Sequence, residues 1–114
     1  MIAVVFEVWP KPDCEAPYLA LAQELRPVLE ALPGFISIER FRSIATENKI
    51  LSLSFFEDEE AVVAWRNTPQ HRKAQALGRN RHFADYRLRI ARVTRDYGMD
   101  ERQQAPADSR NALE

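Results

Sequence analysis

The sequence predicts an α+β fold whose strands and helices follow the order β-α-β-β-α-β. Three observations carry that expectation. Residues 2–9, 35–41 and 50–56 are β-branched or aromatic runs, the last two with period-two alternation. Tyr18, Leu21, Leu25, Val28 and Leu32 recur at helical spacing between the first two runs. Proline, glycine and acidic clusters punctuate the boundaries.

The first strand covers residues 2–9 and is broken by Pro10 and Pro12. Alternation places Ile2, Val4, Phe6 and Val8 on one side and Ala3, Val5, Glu7 and Trp9 on the other. The helix after it opens near Asp13 or Glu15 and ends before Pro33-Gly34, with Pro27 expected to bend it. The next strand, 35–41, sets Ile36 and Ile38 against Ser37 and Glu39. Thr46-Glu47-Asn48-Lys49 reads as a hairpin connection into the strand 50–56. There Leu51, Leu53 and Phe55 share one face, Ser52 and Ser54 the other.

Glu57-Asp58-Glu59-Glu60 suits a helix N-terminus, where negative charge meets the positive end of the helix dipole. That helix, 61–66, stops at Asn67. Thr68 caps the next one, Pro69 occupies its first turn and Gly78 is expected to end it. The last strand is expected from Phe83 to about Tyr97, long enough to bulge near Ala91. The resulting arrangement is ferredoxin-like, an antiparallel sheet with helices on one face. Its other face would carry Val5, Trp9 and Phe35 or Phe41, too apolar to stay wet, so a homodimer through the open sheet face is expected.

Residues 1–97 therefore form one domain, and residues 98–114 form a C-terminal tail without periodicity, mobile or laid across a partner subunit. Its final Leu113-Glu114 has the form of a cloning remnant.

The formal net charge of −1 conceals an uneven distribution. Residues 1–60 hold eleven acidic and five basic side chains, whereas 66–95 hold nine basic ones against the single acid Asp85. Either these are solvated faces that pair across a subunit boundary, or a positive field covers a cleft for an anionic or enolisable ligand. A sequence pI near 6.1 lacks the basic excess that nucleic-acid binding rests on. The lone Cys14 excludes an internal disulfide and a four-cysteine metal site, and reads as an incidental thiol. The N-terminal apolar run has no signal-peptide pattern and no run approaches membrane-spanning length, so a soluble cytoplasmic protein is expected.

Chemistry concentrates between Trp65 and Tyr86, which hold Trp65, both histidines (His71 and His82) and a run of arginines. Pro33-Gly34-Phe35, the strand Leu51-Ser52-Leu53-Ser54-Phe55-Phe56 with its acidic sequel, Trp65 with His71, and the strand Ala84-Asp85-Tyr86-Arg87-Leu88 together resemble the antibiotic biosynthesis monooxygenase family of dimeric α+β barrels, over about residues 2–97. The resemblance implies oxidation of phenolic or polycyclic substrates by dioxygen, often without metal or flavin, the deprotonated substrate supplying the electrons. It is specific for fold and less so for function, since the superfamily spans several activities.

On that resemblance His71 and Trp65 are the catalytic candidates. Trp65 would wall a pocket, and His71, with an ordinary pKa of about 6.5, would move a proton. Arg79, Arg81 or Arg87 would hold an anionic oxygen, with Glu7 and Tyr86 as further substrate-binding candidates. Each has a plainer reading. Trp65 ends an apolar helix face with Ala61 and Val62. His71 satisfies local backbone, Glu7 pairs with an arginine, and Tyr86, like Tyr18, is a core residue with a polar edge. His82 reads as exposed.

Haem degradation, the other branch that the resemblance brings in, uses an asparagine in strand one, a tryptophan and a helical histidine. Here Glu7 and Gln75 stand at the first and third positions. Glycines only at 34, 78 and 98 cannot form a dinucleotide or phosphate loop. No cofactor and no metal are expected. Two functions from different classes remain: a small cofactor-independent monooxygenase acting on an aromatic, phenolic or quinol-type molecule, or a non-catalytic small-molecule-binding or dimeric interaction module of the same fold.

Overall fold

A computed structural model describes residues 1–113, so Glu114, at the end of the expected tail, lies outside the described residues. Its strands are β1 (Ile2–Pro10), β2 (Phe35–Arg42), β3 (Ile50–Phe56) and β4 (Phe83–Arg92), joined by helices α1 (Glu15–Glu30), α2 (Glu59–Arg66) and α3 (Pro69–Leu77). They form one antiparallel sheet in the order β2-β3-β1-β4. The ferredoxin-like order expected from the sequence is the one observed.

Register settles which face each side chain takes. Val4 pairs with Ser54 and Ile90, and Phe6 with Ser52 and Leu88, so these rows point to the helices. Val5, Glu7 and Trp9 share the opposite face with Leu51, Leu53, Arg87, Arg89 and Asp85. The apolar side of β3 therefore looks away from the helices, and its serines look toward them; Ser52 and Ser54 are each only 6% exposed.

Two small cores anchor the helices. Ile2, Leu29, Phe56, Ala61 and Val62 form one, with Trp65 and Phe35 packed against it. Val8, Tyr18 and Ile50 form the other, with Phe6 and Phe83 at its edge. The α1–β2 turn needs glycine: Gly34 has φ +86° and a Cβ there would stand 2.7 Å from Ala61 Cβ.

Three expectations are corrected and one is extended. Phe35 belongs to the helix side, because the β2–β3 register shifts between Phe35 and Ser37; Ile36 is the extra residue and is exposed, while Phe35 meets Phe56 edge-on at 5.8 Å. α2 begins at Glu59, since Asp58 caps it by accepting a hydrogen bond from Ala61 N at 2.9 Å. α3 ends at Leu77 with Gly78 as its C-cap, as expected, but in place of a loop Gly78, at φ −60°, leads into a single π-helical turn, Gly78–His82, which delivers the chain to β4. β4 stops at Arg92, short of Tyr97, because Arg92 pairs with Ile2 and Val93 N makes the last rung to Met1 O; the register shift lies at its other end, opposite Trp9 and Pro10.

Beyond β4 a short helix, α4 (Ala107–Leu113), is tied back by Arg110, which donates to the carbonyls of Arg102 and Gln103. No helix among the described residues is long and apolar enough to cross a membrane.

Candidate functional site

Between the sheet and its helices lies a cavity of about 600 Å³. Its floor is the β1–β4 and β3 rows just described, and its walls come from α1, α2, α3 and the π turn. Volume survives there because β3 contributes hydroxymethyl groups where a packed sheet would present leucines.

Trp65 and His71 meet in its wall. The chain breaks between α2 and α3 at Asn67-Thr68, with Thr68 extended ahead of Pro69. Thr68 accepts a hydrogen bond from His71 N at 3.2 Å and its hydroxyl donates to Trp65 O at 3.0 Å. This double link folds α3 back so that the imidazole stacks on the indole, ring centroids 4.4 Å apart and planes 25° from parallel. His71 Nδ1 lies 3.2 Å from Trp65 O. A carbonyl only accepts, so Nδ1 carries the proton and Nε2 keeps the lone pair in the neutral ring. Burial pushes the imidazole below its ordinary pKa; the Trp65 carbonyl partly offsets this and the nearby Arg72 charge adds to it. His71 is thus held as a neutral base.

The aromatic end of the cavity is a chain of tilted rings: Phe6 lies 5.8 Å from Phe83 and 5.7 Å from Tyr86, and Tyr18 lies 5.5 Å from Phe83. Arg79 Nη1 donates to Tyr86 Oη at 2.8 Å, and Arg40 Nε donates to Tyr18 Oη at 3.4 Å. The π turn brings His82 to the lining too, with Nδ1 enclosed and without a hydrogen-bond partner among the described residues.

Of the candidates read from the sequence, Trp65, His71, Arg79 and Tyr86 line the cavity together. Glu7, Arg81 and Arg87 do not. Glu7 and Arg87 are register partners on the open face, and Arg81 is exposed on the π turn. Glu7 instead pairs with Lys49 at 2.6 Å and with Arg89, which hold its carboxyl below the usual range in that order of effect. Lys49 also sits over the Trp9 ring at 5.0 Å. Gln75, at the position where the haem-degrading pattern wants histidine, lines the cavity. Among the described residues, no group of three or more His, Cys, Asp or Glu is placed to hold a metal ion.

Sequence reading missed Arg40 and undervalued Ser52, Tyr18 and His82. The signal for Arg40 and Ser52 lay in alternation: Ile38-Glu39-Arg40 puts Arg40 in phase with the cavity-lining Ile38, and Ile50-Leu51-Ser52 puts Ser52 in phase with the buried Ile50.

A family model described as antibiotic biosynthesis monooxygenase matches residues 1–77. The chain is 45% identical over 94 residues to the jasmonate monooxygenase ABM of Pyricularia oryzae, which covers 82% of this chain and 44% of that protein. It thus spans less than half the length of that relative. An uncharacterized Bacillus subtilis protein, YqjZ, is 26% identical over 85 residues, 75% of this chain and 73% of its own. Among solved structures, Rv0793 from Mycobacterium tuberculosis matches with a TM-score of 0.75 at 15% identity, over 85% of this chain and 98% of its own. SnoaB, a cofactor-independent oxygenase from Streptomyces nogalater, matches with a TM-score of 0.72 at 12% identity, over 83% and 94% respectively. At such identities these two likenesses concern the fold.

Proposed function

This chain belongs to the antibiotic biosynthesis monooxygenase family, and from that premise we propose that it is a cofactor-independent monooxygenase acting on an aromatic, phenolic or quinol-type small molecule held in the 600 Å³ cavity. The observation that carries the reading is the Trp65–His71 stack, which offers a neutral imidazole with a free Nε2 beside an apolar chamber.

Nε2 takes a proton from an acidic phenol, or from a methylene flanked by aromatic rings. The resulting anion is the reductant. For such a methylene, one atom of dioxygen becomes the carbonyl oxygen and the other leaves as water, and the carbon supplies all four electrons. Oxidation of a saturated carbon, as in a jasmonate-like ketone acid, would instead draw two electrons from an added donor. Trp65 and the Phe6–Phe83–Tyr86 rings supply a flat apolar wall, and the Arg79–Tyr86 pair stabilises developing negative charge.

The test is oxygen uptake by metal-free protein with phenols, anthrones and quinols, and with jasmonate in the presence and absence of a reductant. Uptake that falls at least about tenfold in His71→Ala, roughly 1.4 kcal/mol in barrier, supports the reading. Saturable binding without uptake on any of them favours a binding module in the same cavity.

The homodimer belongs to the same proposal. Val5, Trp9, Phe41, Leu51, Leu53 and Phe55 share the uncovered sheet face, and a second copy placed there would remove them from water.

A further inference from the structure

The cavity carries a charge pattern that proton abstraction by His71 does not use. Arg26, Arg40, Arg66, Arg72 and Arg79 line it, and no Asp or Glu does. Of these, only Arg26 has a carboxylate partner among the described residues, Glu30 at 2.7 Å. An apolar chamber with four cations that no carboxylate compensates among the described residues suits a ligand with an anionic end.

Arg40 is the member planted in the floor. It is half-buried on β2, in register with Ser52, whereas Arg79 is exposed and already committed to Tyr86. Arg40 spends only its Nε, on Tyr18 Oη; its two terminal amino groups make no hydrogen bond among the described residues. Tyr18 Oη accepts that bond, and its own proton has no acceptor among the described residues. Tyr18 is 7% exposed and Ser52 6%, and the Ser52 hydroxyl faces the same space. A guanidinium fork and two hydroxyl donors, with no carboxylate among them, match a planar carboxylate, which accepts at two oxygens and is bound best by such a fork. Leaving a half-buried cation unpaired is costly, so the anion that fills the place also stabilises the fold.

We propose that Arg40, with the hydroxyls of Tyr18 and Ser52, is a carboxylate-binding subsite, and that the cavity selects amphipathic monocarboxylates whose apolar body runs over Phe6 and Leu88 toward Trp65. The inference rests on the reading that this cavity is the substrate site and narrows its substrate class.

The experiment compares binding of 1-naphthylacetate and of its isosteric neutral amide, 1-naphthylacetamide, by anaerobic titration calorimetry, so that turnover plays no part. The wild-type protein binds the carboxylate at least about tenfold more tightly, 1.4 kcal/mol, and added salt erodes the difference. Arg40→Gln removes the preference and leaves amide affinity within about twofold, Arg40→Lys keeps part of it, and Arg81→Gln, outside the cavity lining, keeps it whole. Circular dichroism verifies that each variant is folded. Equal affinity for the two ligands in the wild type overturns the proposal, as does a preference that survives Arg40→Gln or the absence of saturable carboxylate binding up to millimolar concentration. A carboxylate preference without oxygen uptake on any substrate removes the oxygenase and leaves the subsite. Uptake on neutral anthrones with no such preference removes the subsite alone.

Discussion

Gly78 is seated against the ring of Phe83 so closely that a Cβ at position 78 would stand 2.3 Å from Cε2 and 2.5 Å from Cζ. That contact spans the π turn, which begins at Gly78 and releases the chain at Phe83, whose N–H bonds Gly78 O. Gly78→Ala is expected to cost about 1–3 kcal/mol from overpacking, seen as a lowered Tm. Replacing Phe83 by Leu in that background should return part of the loss. Strict additivity of the two changes would refute the steric account.

Activity should follow the base form of His71. Its burial lowers the pKa from about 6.5, so the acid limb of kcat/KM is expected to have its midpoint below that value, and to disappear into a low flat profile in His71→Ala. A limb centred well above pH 7 would assign the base elsewhere. Trp65→Phe keeps an aromatic wall and should lose less than His71→Ala.

Stability should respond to the same group. An unfolded His71 takes up a proton near pH 6.5, while the folded one resists it, so below that pH the unfolded chain binds more protons. The contribution of the neutral ring is therefore present above about pH 6.5 and is lost as the pH falls through the lowered folded value. Urea midpoints measured from pH 8 to pH 5 should fall more steeply for the wild type than for His71→Asn. Parallel curves would mean that the ring is not held neutral.

Thr68→Ala removes the hydroxyl that caps α3 and braces Trp65 O. The expected loss is about 1 kcal/mol of stability together with a fall in kcat, because the Trp65–His71 stack loses its brace. Thr68→Ser should recover both. A variant that is destabilised but keeps its full kcat would confine Thr68 to the fold.

A protein paired through its open sheet face should behave in light scattering as twice the 13.2 kDa chain. Leu53→Arg, which places a charge at the centre of that face opposite Val5, is expected to halve the mass at micromolar concentration. A wild-type monomer in dilute solution would end the proposal.

The strands and helices were legible wherever a local pattern was strong. β1 is a β-branched and aromatic run, α1 and β3 follow helical and period-two spacing, and the Thr68 cap is short-range chemistry. Long-range events were not legible. The bulge that turns Phe35 inward depends on pairing with β3, and the end of β4 depends on where β1 begins. The π turn answers to the Phe83 ring. The site divided in the same way. Trp65 and His71 were legible because six residues and a cap join them. Arg40 was harder to read: alternation puts it in phase with Ile38, but which side of an edge strand faces a cavity is settled only by its pairing with β3. Glu7 and Arg87 stood out by type, yet their register puts them across the sheet from the chamber.

A chain with β3 paired one residue out of register would exchange the two faces of that strand. Leu51, Leu53 and Phe55 would crowd into the chamber, and Ser52 and Ser54 would be offered to the outside, where a second copy is proposed to dock. Ligand capture and self-association would be lost at one stroke. One register therefore serves both properties, and a slip of this strand forfeits the two together.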